Sequence, residues 1–204
     1  MVARQRVHHM NRNHRELCAS DGWGDYIRDD LLPWVLGERP LGGSVLEIGP
    51  GPGLSTDLLR SRTRRLTAIE SDRGAAASLE RRLAGTNVTV VGADATDMPF
   101  RRSRFTASVA MTMLHHVPTV QLQDALLAEA CRVLRPGGWL MGVDSLDNAG
   151  WREFHEGDVC VPVDPETFEP RLLAVGFAEV EVEQREEAFR FAGRRPVQLE
   201  GVRR

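Results

Sequence analysis

The stretch Ser44-Val-Leu-Glu-Ile-Gly-Pro-Gly-Pro-Gly-Leu-Ser55 decides the fold of this chain. Its apolar start, from Val45 to Ile48, is typical of a buried strand in a parallel sheet. Glycine then occupies every second position, and the residues from Leu54 to Leu59 have the pattern of a helix. A strand, a glycine turn and a helix in this order allow backbone N–H groups to approach a nucleotide-like ligand.

The glycine spacing distinguishes this turn from the dinucleotide-binding fingerprint. Gly49, Gly51 and Gly53 follow G-x-G-x-G rather than G-x-G-x-x-G, and the carboxylate of Glu47 lies at the end of the strand. A carboxylate at this place would repel a pyrophosphate, whereas it suits a cationic ligand without phosphates. The turn therefore favours a cationic ligand.

The run from Glu47 to Gly53 resembles the first motif of the class I S-adenosylmethionine-dependent methyltransferases, which read acidic-x-Gly-x-Gly-x-Gly. Three further landmarks of that family follow in order, and the resemblance covers about residues 40–195. The landmarks are Glu70 at the end of a second strand, Asp94 after a third strand, and the turn Leu134-Arg-Pro-Gly-Gly138 that leads into a fifth strand.

The resemblance implies S-adenosyl-L-methionine as the cofactor. Glu70 would accept hydrogen bonds from both ribose hydroxyls, as an acidic residue about 20 residues past the turn can do. Asp94 would accept from the adenine amino group, and the amide of Ala95 would meet an adenine ring nitrogen. Helix or turn capping is the alternative role for both carboxylates. The expected cofactor contacts are Glu47, Gly49, Pro50, Gly51, Gly53, Glu70, Ser71, Asp94, Ala95 and Met111.

The acceptor side of the expected site is rich in histidine. In the family, the end of the fourth strand and the loop after it line the methyl-transfer site, and here that loop reads Leu114-His-His116. Methyl transfer from a sulfonium needs mainly orientation, and it needs a general base only for a hydroxyl or a protonated amine. The candidate catalytic residues are His115, His116 and His155, with His116 or His155 as the base or as the group that positions the acceptor.

These histidines also have an alternative interpretation. Because His115 and His116 are adjacent, we expect their side chains to point in different directions, so at most one faces the substrate. A buried imidazole bonded to backbone, or a surface position, is the alternative for each. His155 lies in the stretch 146–163, which we expect to be irregular and to recognise the substrate.

The order of elements predicts an α/β fold with a Rossmann-like, doubly wound, seven-stranded sheet. The sheet is expected to be mostly parallel with an antiparallel last strand and to carry helices on both faces. Residues 1–40 are expected to form an N-terminal helical cap, in which 1–13 are loosely attached. Residues 41–204 are expected to form the cofactor-binding domain, a single globular unit whose last dozen residues are frayed.

Composition and charge argue against several other function classes. The net charge of −3 provides no field for nucleic acid or an anionic membrane. No apolar run reaches the roughly 18 residues that span a membrane. All 26 basic residues are arginine, which excludes a Schiff-base lysine, a pyridoxal anchor and a Walker lysine. Three scattered cysteines without a secretory leader are typical of a reduced, cytoplasmic protein.

We expect no metal site. The possible ligands His8, His9, His14 and Cys18 lie in or next to the N-terminal stretch that we predict to be loosely attached. A metal-assisted methyltransferase of the catechol type would place a carboxylate near the end of the fourth strand. Here that position reads Met111-Thr-Met113.

The sequence thus predicts transfer of a methyl group from S-adenosylmethionine to a small-molecule acceptor, without a nucleic-acid or membrane partner. One alternative is a non-catalytic module that binds S-adenosylmethionine or S-adenosylhomocysteine. An NAD(P)-dependent oxidoreductase is the other, and the glycine spacing, Glu47 and Asp94 argue against it. The identity of the acceptor, the atom that is methylated and the oligomeric state stay open.

Overall fold

The computed structural model describes residues 11–197, which fold around one seven-stranded sheet. The strands are β1 (Val45–Ile48), β2 (Leu66–Glu70), β3 (Val88–Gly92), β4 (Phe105–Met111), β5 (Leu134–Ser145), β6 (Ala178–Gln184) and β7 (Ala188–Arg194). The α-helices are α1 (Arg12–Cys18), α2 (Asp21–Tyr26), α3 (Leu32–Leu36), α4 (Leu54–Arg60), α5 (Arg73–Arg82), α6 (Val120–Val133), α7 (Ala149–Phe154) and α8 (Pro165–Ala174). A π-helical turn at Ile27–Leu31 joins α2 to α3, and a 3₁₀ turn at Leu114–His116 follows β4.

The strand order is β3-β2-β1-β4-β5-β7-β6. Strands β1 to β5 pair in parallel, and β7 is antiparallel to both of its neighbours. This confirms the predicted mostly parallel sheet with an antiparallel last strand. Because the strand order reverses between β1 and β4, the carboxyl ends of these two strands open a crevice at the switch point.

Each face of the sheet packs against its own helical layer. On one face, Phe168 of α8 contacts the rings of Phe189 and Phe191, with centroids 5.7 and 4.9 Å apart, and all three side chains are fully buried. On the other face, Leu32 from the N-terminal helices and Leu59 of α4 share a core with the inner strands. Helices of the predicted N-terminal cap therefore contribute to the same apolar core as the sheet.

The N-terminal helix begins earlier than the sequence indicated. Residues 11–13 were predicted to be loosely attached, but the Asn11 side chain caps α1 by accepting from the His14 amide at 2.9 Å. The same side chain donates to the carbonyls of Phe154 and Glu156 at 2.8 and 3.2 Å. The rest of the predicted loose N-terminus, with His8 and His9, lies outside the described residues, as do residues 198–204 of the expected frayed end.

Two predictions about the second half of the chain need correction. The stretch 146–163 was predicted to be irregular, but it contains α7, which begins because the Asn148 side chain accepts from the Trp151 amide at 2.9 Å. The predicted turn Arg135–Gly138 lies inside β5 as an irregularity, and regular pairing with β4 resumes at Trp139. Within residues 11–197, no helix combines the length and the apolar composition that a membrane crossing requires.

The cap of α6 provides a local stability prediction. The Thr119 hydroxyl accepts a hydrogen bond from the Leu122 amide at 3.1 Å and satisfies one donor at the start of this helix. We expect Thr119→Ala to lower the free energy of unfolding by about 1 kcal/mol, measured by urea denaturation. The exposed neighbour Gln121→Ala should change it by less than about 0.5 kcal/mol. Equal effects of the two variants would contradict a capping role.

Candidate functional site

The glycine turn after β1 holds a backbone conformation that suits glycine. Gly49, Gly51 and Gly53 have φ values of 64°, 52° and 90°, which L side chains rarely adopt. A Cβ atom on Gly49 would approach the Cβ of Met113 to 3.0 Å, so the turn passes close beneath the loop that follows β4. The glycine spacing therefore brings the backbone of β1, the start of α4 and the β4 loop together at the switch point.

Glu70 closes this turn from the neighbouring strand. Its carboxylate accepts hydrogen bonds from the amides of Gly51 at 3.1 Å and Asp72 at 2.9 Å. Burial raises the pKa of Glu70, and the bonds from the Asp72 and Gly51 amides oppose that shift. The side chain is only 8% exposed, so it is held at a fixed place on the carboxyl edge of the sheet. The helix-capping role that we considered for Glu70 belongs instead to Asp72, which caps α5.

Asp94 lies two residues beyond β3 on the same edge of the sheet. Its Oδ1 accepts from both the amide and the hydroxyl of Thr96 at 2.8 Å, and its side chain is exposed. The carboxylate therefore takes part in the turn that we considered as its alternative role. The other predicted cofactor contacts lie at strand ends or in loops along this edge: Pro50, Ser71, Ala95 and Met111.

Glu47 lies beneath the turn rather than at its rim. It is 1% exposed, and its Oε1 accepts from the Ser55 hydroxyl at 2.6 Å. Burial raises the pKa of Glu47 to about 7, against the effect of the Ser55 hydrogen bond. Its Oε2 is buried and has no hydrogen-bond partner among the described residues. An acceptor of this kind fits a ligand that brings an N–H donor, and S-adenosylmethionine carries an ammonium group.

The raised pKa of Glu47 predicts a pH dependence of stability. Between the ordinary pKa of 4.5 and the folded value of about 7, the folded chain binds more protons at this residue than the unfolded chain. Its contribution to the free energy of unfolding therefore falls as pH rises through that window, by about 1.4 kcal/mol per unit of pKa difference. Urea denaturation measures the free energy of unfolding of the wild type and of Glu47→Gln. We expect the difference between the two to decrease as pH rises from about 5 to 8. A difference independent of pH would contradict this.

The three candidate catalytic histidines lie together. The ring centroids of His115 and His116 are 4.1 Å apart, and those of His115 and His155 are 5.0 Å apart. The centroids of His116 and His155 are 5.7 Å apart. The two adjacent rings thus lie side by side, although we expected them to point in different directions; which of them faces the substrate stays a prediction. His115 and His116 belong to the 3₁₀ turn Leu114–His116, in which successive side chains diverge by about 120° rather than the 180° of a strand.

A fourth histidine joins the cluster from the N-terminal helix. The ring of His14 lies 5.0 Å from that of His116 and 4.6 Å from that of His155, centroid to centroid. Its Nδ1 is 2.8 Å from Oδ2 of Asp158, which is itself buried. We had considered His14 only as part of an N-terminal metal cluster. Its position depends on a contact between the two halves of the chain, which no local pattern indicates.

Asp144 is a site residue that the sequence reasoning missed. It is fully buried at the end of β5, and its Oδ1 lies 2.5 Å from Nδ1 of His115. Its Oδ2 accepts from the His115 amide at 3.2 Å. A carboxylate oxygen accepts from Nδ1–H, so in the neutral ring the lone pair lies on Nε2, which is buried and has no hydrogen-bond partner among the described residues. An acidic residue at the carboxyl end of an apolar strand was the available signal.

His116 and His155 are held as neutral imidazoles. Nδ1 of His116 is 3.2 Å from the carbonyl of Val159, and Nδ1 of His155 is 2.7 Å from the carbonyl of Trp151. Burial lowers the pKa of His116 to about 2 and also lowers the pKa of His155. Since a carbonyl can only accept, the proton of each ring is on Nδ1 and the lone pair is on Nε2.

A family model described as "Methyltransferase domain" matches residues 46–142. That segment contains the glycine turn, Glu70, Asp94, the histidine turn and most of β5. The matched residues therefore include the whole of the carboxyl edge described above, apart from the end of β5.

Two curated relatives match parts of the chain. "Cypemycin N-terminal methyltransferase" of a Streptomyces species is 29% identical over 53% of this chain and 44% of its own length. "Probable ribosomal RNA small subunit methyltransferase A" of Pyrobaculum aerophilum is 32% identical over 55% of this chain and 53% of its own length. The chain thus spans about half the length of these relatives or less.

A solved structure is similar over almost the whole chain. The protein in the "DhpI-SAH complex structure" is 25% identical and has a TM-score of 0.66, covering 91% of this chain and 97% of its own. The similarity therefore extends well beyond the segment that the family model matches.

Proposed function

We propose that this chain, whose residues 46–142 are a methyltransferase domain of the class I S-adenosylmethionine-dependent type, transfers a methyl group to a small-molecule acceptor. The observation that carries the proposal is the carboxyl edge of the sheet. There Glu70 holds the glycine turn, and the turn approaches Met113, two residues before the buried pair of His115 and Asp144. S-adenosylmethionine supplies an activated methyl carbon on a sulfonium and leaves as S-adenosylhomocysteine.

The chain's own residues bind and orient the cofactor in this proposal. Glu70 accepts the ribose hydroxyls, Asp94 accepts the adenine amino group, and the glycine turn lets the backbone approach closely. Glu47 offers to the ammonium group its Oε2, which has no hydrogen-bond partner in the described part of the chain. These contacts fix the direction from which an acceptor can reach the methyl carbon, and orientation of this kind is the main source of the rate enhancement.

We assign the role of general base to His115. The lone pair on its Nε2 takes a proton from an acceptor hydroxyl or ammonium as the new bond to the methyl carbon forms. Asp144 holds the ring in the required tautomer and balances the positive charge that develops on it. His116 and His155 line the same space and position the acceptor. This assignment differs from our sequence-based preference for His116 or His155 as the base.

Two features favour a small acceptor over RNA, although one relative is named as a ribosomal RNA methyltransferase. The first is the net charge of −3, which provides no general attraction for a phosphate backbone. The second is that α1 covers the histidine cluster. Asn11 bonds to the carbonyls of Phe154 and Glu156, and His14 pairs with Asp158. A cluster covered in this way suits contact with a metabolite better than contact with a folded RNA.

Transfer of tritiated methyl from S-adenosylmethionine tests the proposal. The wild-type chain is incubated separately with a panel of hydroxyl- and amine-bearing metabolites, with ribosomal RNA and with a peptide that has a free N-terminus. We expect label in at least one metabolite and none in RNA or peptide. Label in RNA or peptide alone would contradict the small-molecule acceptor. No transfer to any of them, together with tight binding of S-adenosylhomocysteine, would favour the non-catalytic module.

A further inference from the structure

The methyl-transfer proposal gives His116 and His155 a positioning role, but it does not explain why His14 meets them. One ring nitrogen of each of His14, His116 and His155 lies within 4.8 Å of the corresponding atoms of the other two. They come from α1, from the turn after β4 and from the end of α7, so their meeting depends on the tertiary fold. His14 and His155 are each 6% exposed.

The hydrogen bonds of the three rings orient them in the same way. Each ring directs Nδ1 at an oxygen: the Asp158 carboxylate for His14, and main-chain carbonyls for His116 and His155. All three therefore carry the proton on Nδ1 and a lone pair on Nε2. An outer oxygen that fixes Nδ1–H in this way is the usual support of a metal-binding histidine.

The inner side of the cluster includes a buried acceptor without a donor. Nε2 of His155 is buried and has no hydrogen-bond partner among the described residues. A buried lone pair without a partner is costly, and ring nitrogens of His14 and His116 lie within 4.8 Å of a ring nitrogen of His155. A divalent cation satisfies them together, because the neutral imidazole is the form that binds a metal.

The spacing of the rings fits one ion. Zn–N bonds of about 2.0–2.1 Å in a tetrahedral arrangement separate imidazole centroids by about 5 Å and ligand nitrogens by about 3.3 Å. The observed centroid separations are 5.0, 4.6 and 5.7 Å. The nitrogens, within 4.8 Å of one another, need to move by at most about 1.5 Å to bind a shared ion.

We propose that His14, His116 and His155 bind one transition-metal dication of the Zn²⁺ type through Nε2, with Asp158 supporting His14 from behind. Imidazole ligands select Zn²⁺ and its neighbours over Mg²⁺ or Ca²⁺, which prefer oxygen. Three protein ligands leave a coordination position open toward the acceptor space. The ion links α1 to the turn after β4 and to the end of α7. The proposal departs from our expectation that the chain has no metal site, and it does not depend on methyl transfer.

A second group competes for the same ion. His115, His155 and Cys160 also place ligand atoms within 4.8 Å of one another. His155 is common to both groups. We assign the ion to the three-histidine group because all three of its members are imidazoles whose Nδ1 is directed at an outer oxygen, and because their centroid separations fit one ion.

Metal titration of the purified wild-type chain tests the proposal. We expect one Zn²⁺ per chain by competition with a chromophoric chelator, no binding of Mg²⁺, and a tetrahedral Co²⁺ spectrum without a thiolate charge-transfer band. Failure of the wild type to bind Zn²⁺ would overturn the proposal without any variant. A thiolate band that disappears in Cys160→Ser would place the ion in the second group and would also overturn it.

Variants then assign the ligands. His14→Gln and His116→Gln should each weaken Zn²⁺ binding at least 100-fold, and Asp158→Asn should weaken it about 10- to 100-fold. Cys18→Ser, on the same helix as His14, is the matched control and should leave the affinity unchanged. Zn²⁺ should raise the unfolding temperature of the wild type and the control but not of His14→Gln. Unchanged affinity in both histidine variants would overturn the assignment.

Discussion

Replacing His115 by glutamine is expected to lower the rate constant of methyl transfer by about 10²- to 10⁴-fold, the usual contribution of a positioned general base. The reason is the geometry of its ring: Nδ1 is 2.5 Å from a fully buried carboxylate, and Nε2 has no hydrogen-bond partner within residues 11–197. The measurement is single-turnover transfer of tritiated methyl to the acceptor that the metabolite panel identifies. The affinity for S-adenosylhomocysteine, measured by calorimetry, should stay within about twofold, since His115 is not among the proposed cofactor contacts.

Asp144→Asn is the companion variant for this prediction. An amide in place of the carboxylate can donate to Nδ1, and this favours the tautomer with the proton on Nε2. The neutral amide also no longer balances the positive charge that develops on the ring. We expect kcat to fall at least tenfold with KM for the acceptor nearly unchanged. A His115→Gln enzyme with the wild-type single-turnover rate would remove His115 from the mechanism. Loss of folding in either variant is detected separately by urea denaturation.

Glu70→Gln is expected to weaken S-adenosylhomocysteine binding by about 10- to 100-fold. Hydrogen bonds to a charged group contribute about 1.5–3 kcal/mol each, and the substitution removes the charge and one acceptor oxygen from the proposed ribose contact. Glu70 is suited to this role because two backbone amides already hold its carboxylate in place. Isothermal titration of the wild type and the variant measures the change directly.

The control for this variant is Glu80→Gln, which makes the same substitution at an exposed position of α5, away from the carboxyl edge. Its affinity for S-adenosylhomocysteine should equal that of the wild type. Equal affinities of wild type and Glu70→Gln, with Glu80→Gln also unchanged, would show that Glu70 only holds the turn through its amide bonds. The ribose assignment would then be abandoned.

The sequence predicted the sheet, and it allowed cofactor contacts to be proposed along one edge, because both depend on local patterns. Short apolar runs mark strands that are covered on both faces, and a strand followed by a turn and a helix leaves few alternatives for the order of a parallel sheet. The turn at Gly49, Gly51 and Gly53 could be predicted because glycine is the residue that suits a positive φ. Glu70 and Asp94 could be proposed as cofactor contacts because Glu70 ends β2 and Asp94 closely follows β3.

The acceptor side could not be predicted to the same degree, because long-range contacts build it. His14 meets Asp158 across the chain, and His115 meets Asp144 through the pairing of β4 with β5. The mutual direction of His115 and His116 depends on a 3₁₀ turn of three residues, too short to give a periodic pattern. Helix α7 was missed for a similar reason, since six residues with one capping side chain give only a weak signal.

Calorimetric titration of the purified chain with S-adenosylhomocysteine, with NADH in parallel, tests the central claim most directly. We expect saturable heat with S-adenosylhomocysteine, weaker binding in Asp94→Ala, wild-type affinity in the exposed neighbour Asp97→Ala, and no heat with NADH. Heat with NADH and none with S-adenosylhomocysteine would contradict the cofactor assignment and every role proposed for the carboxyl edge. No heat with either ligand would contradict the claim that this edge binds the cofactor at all.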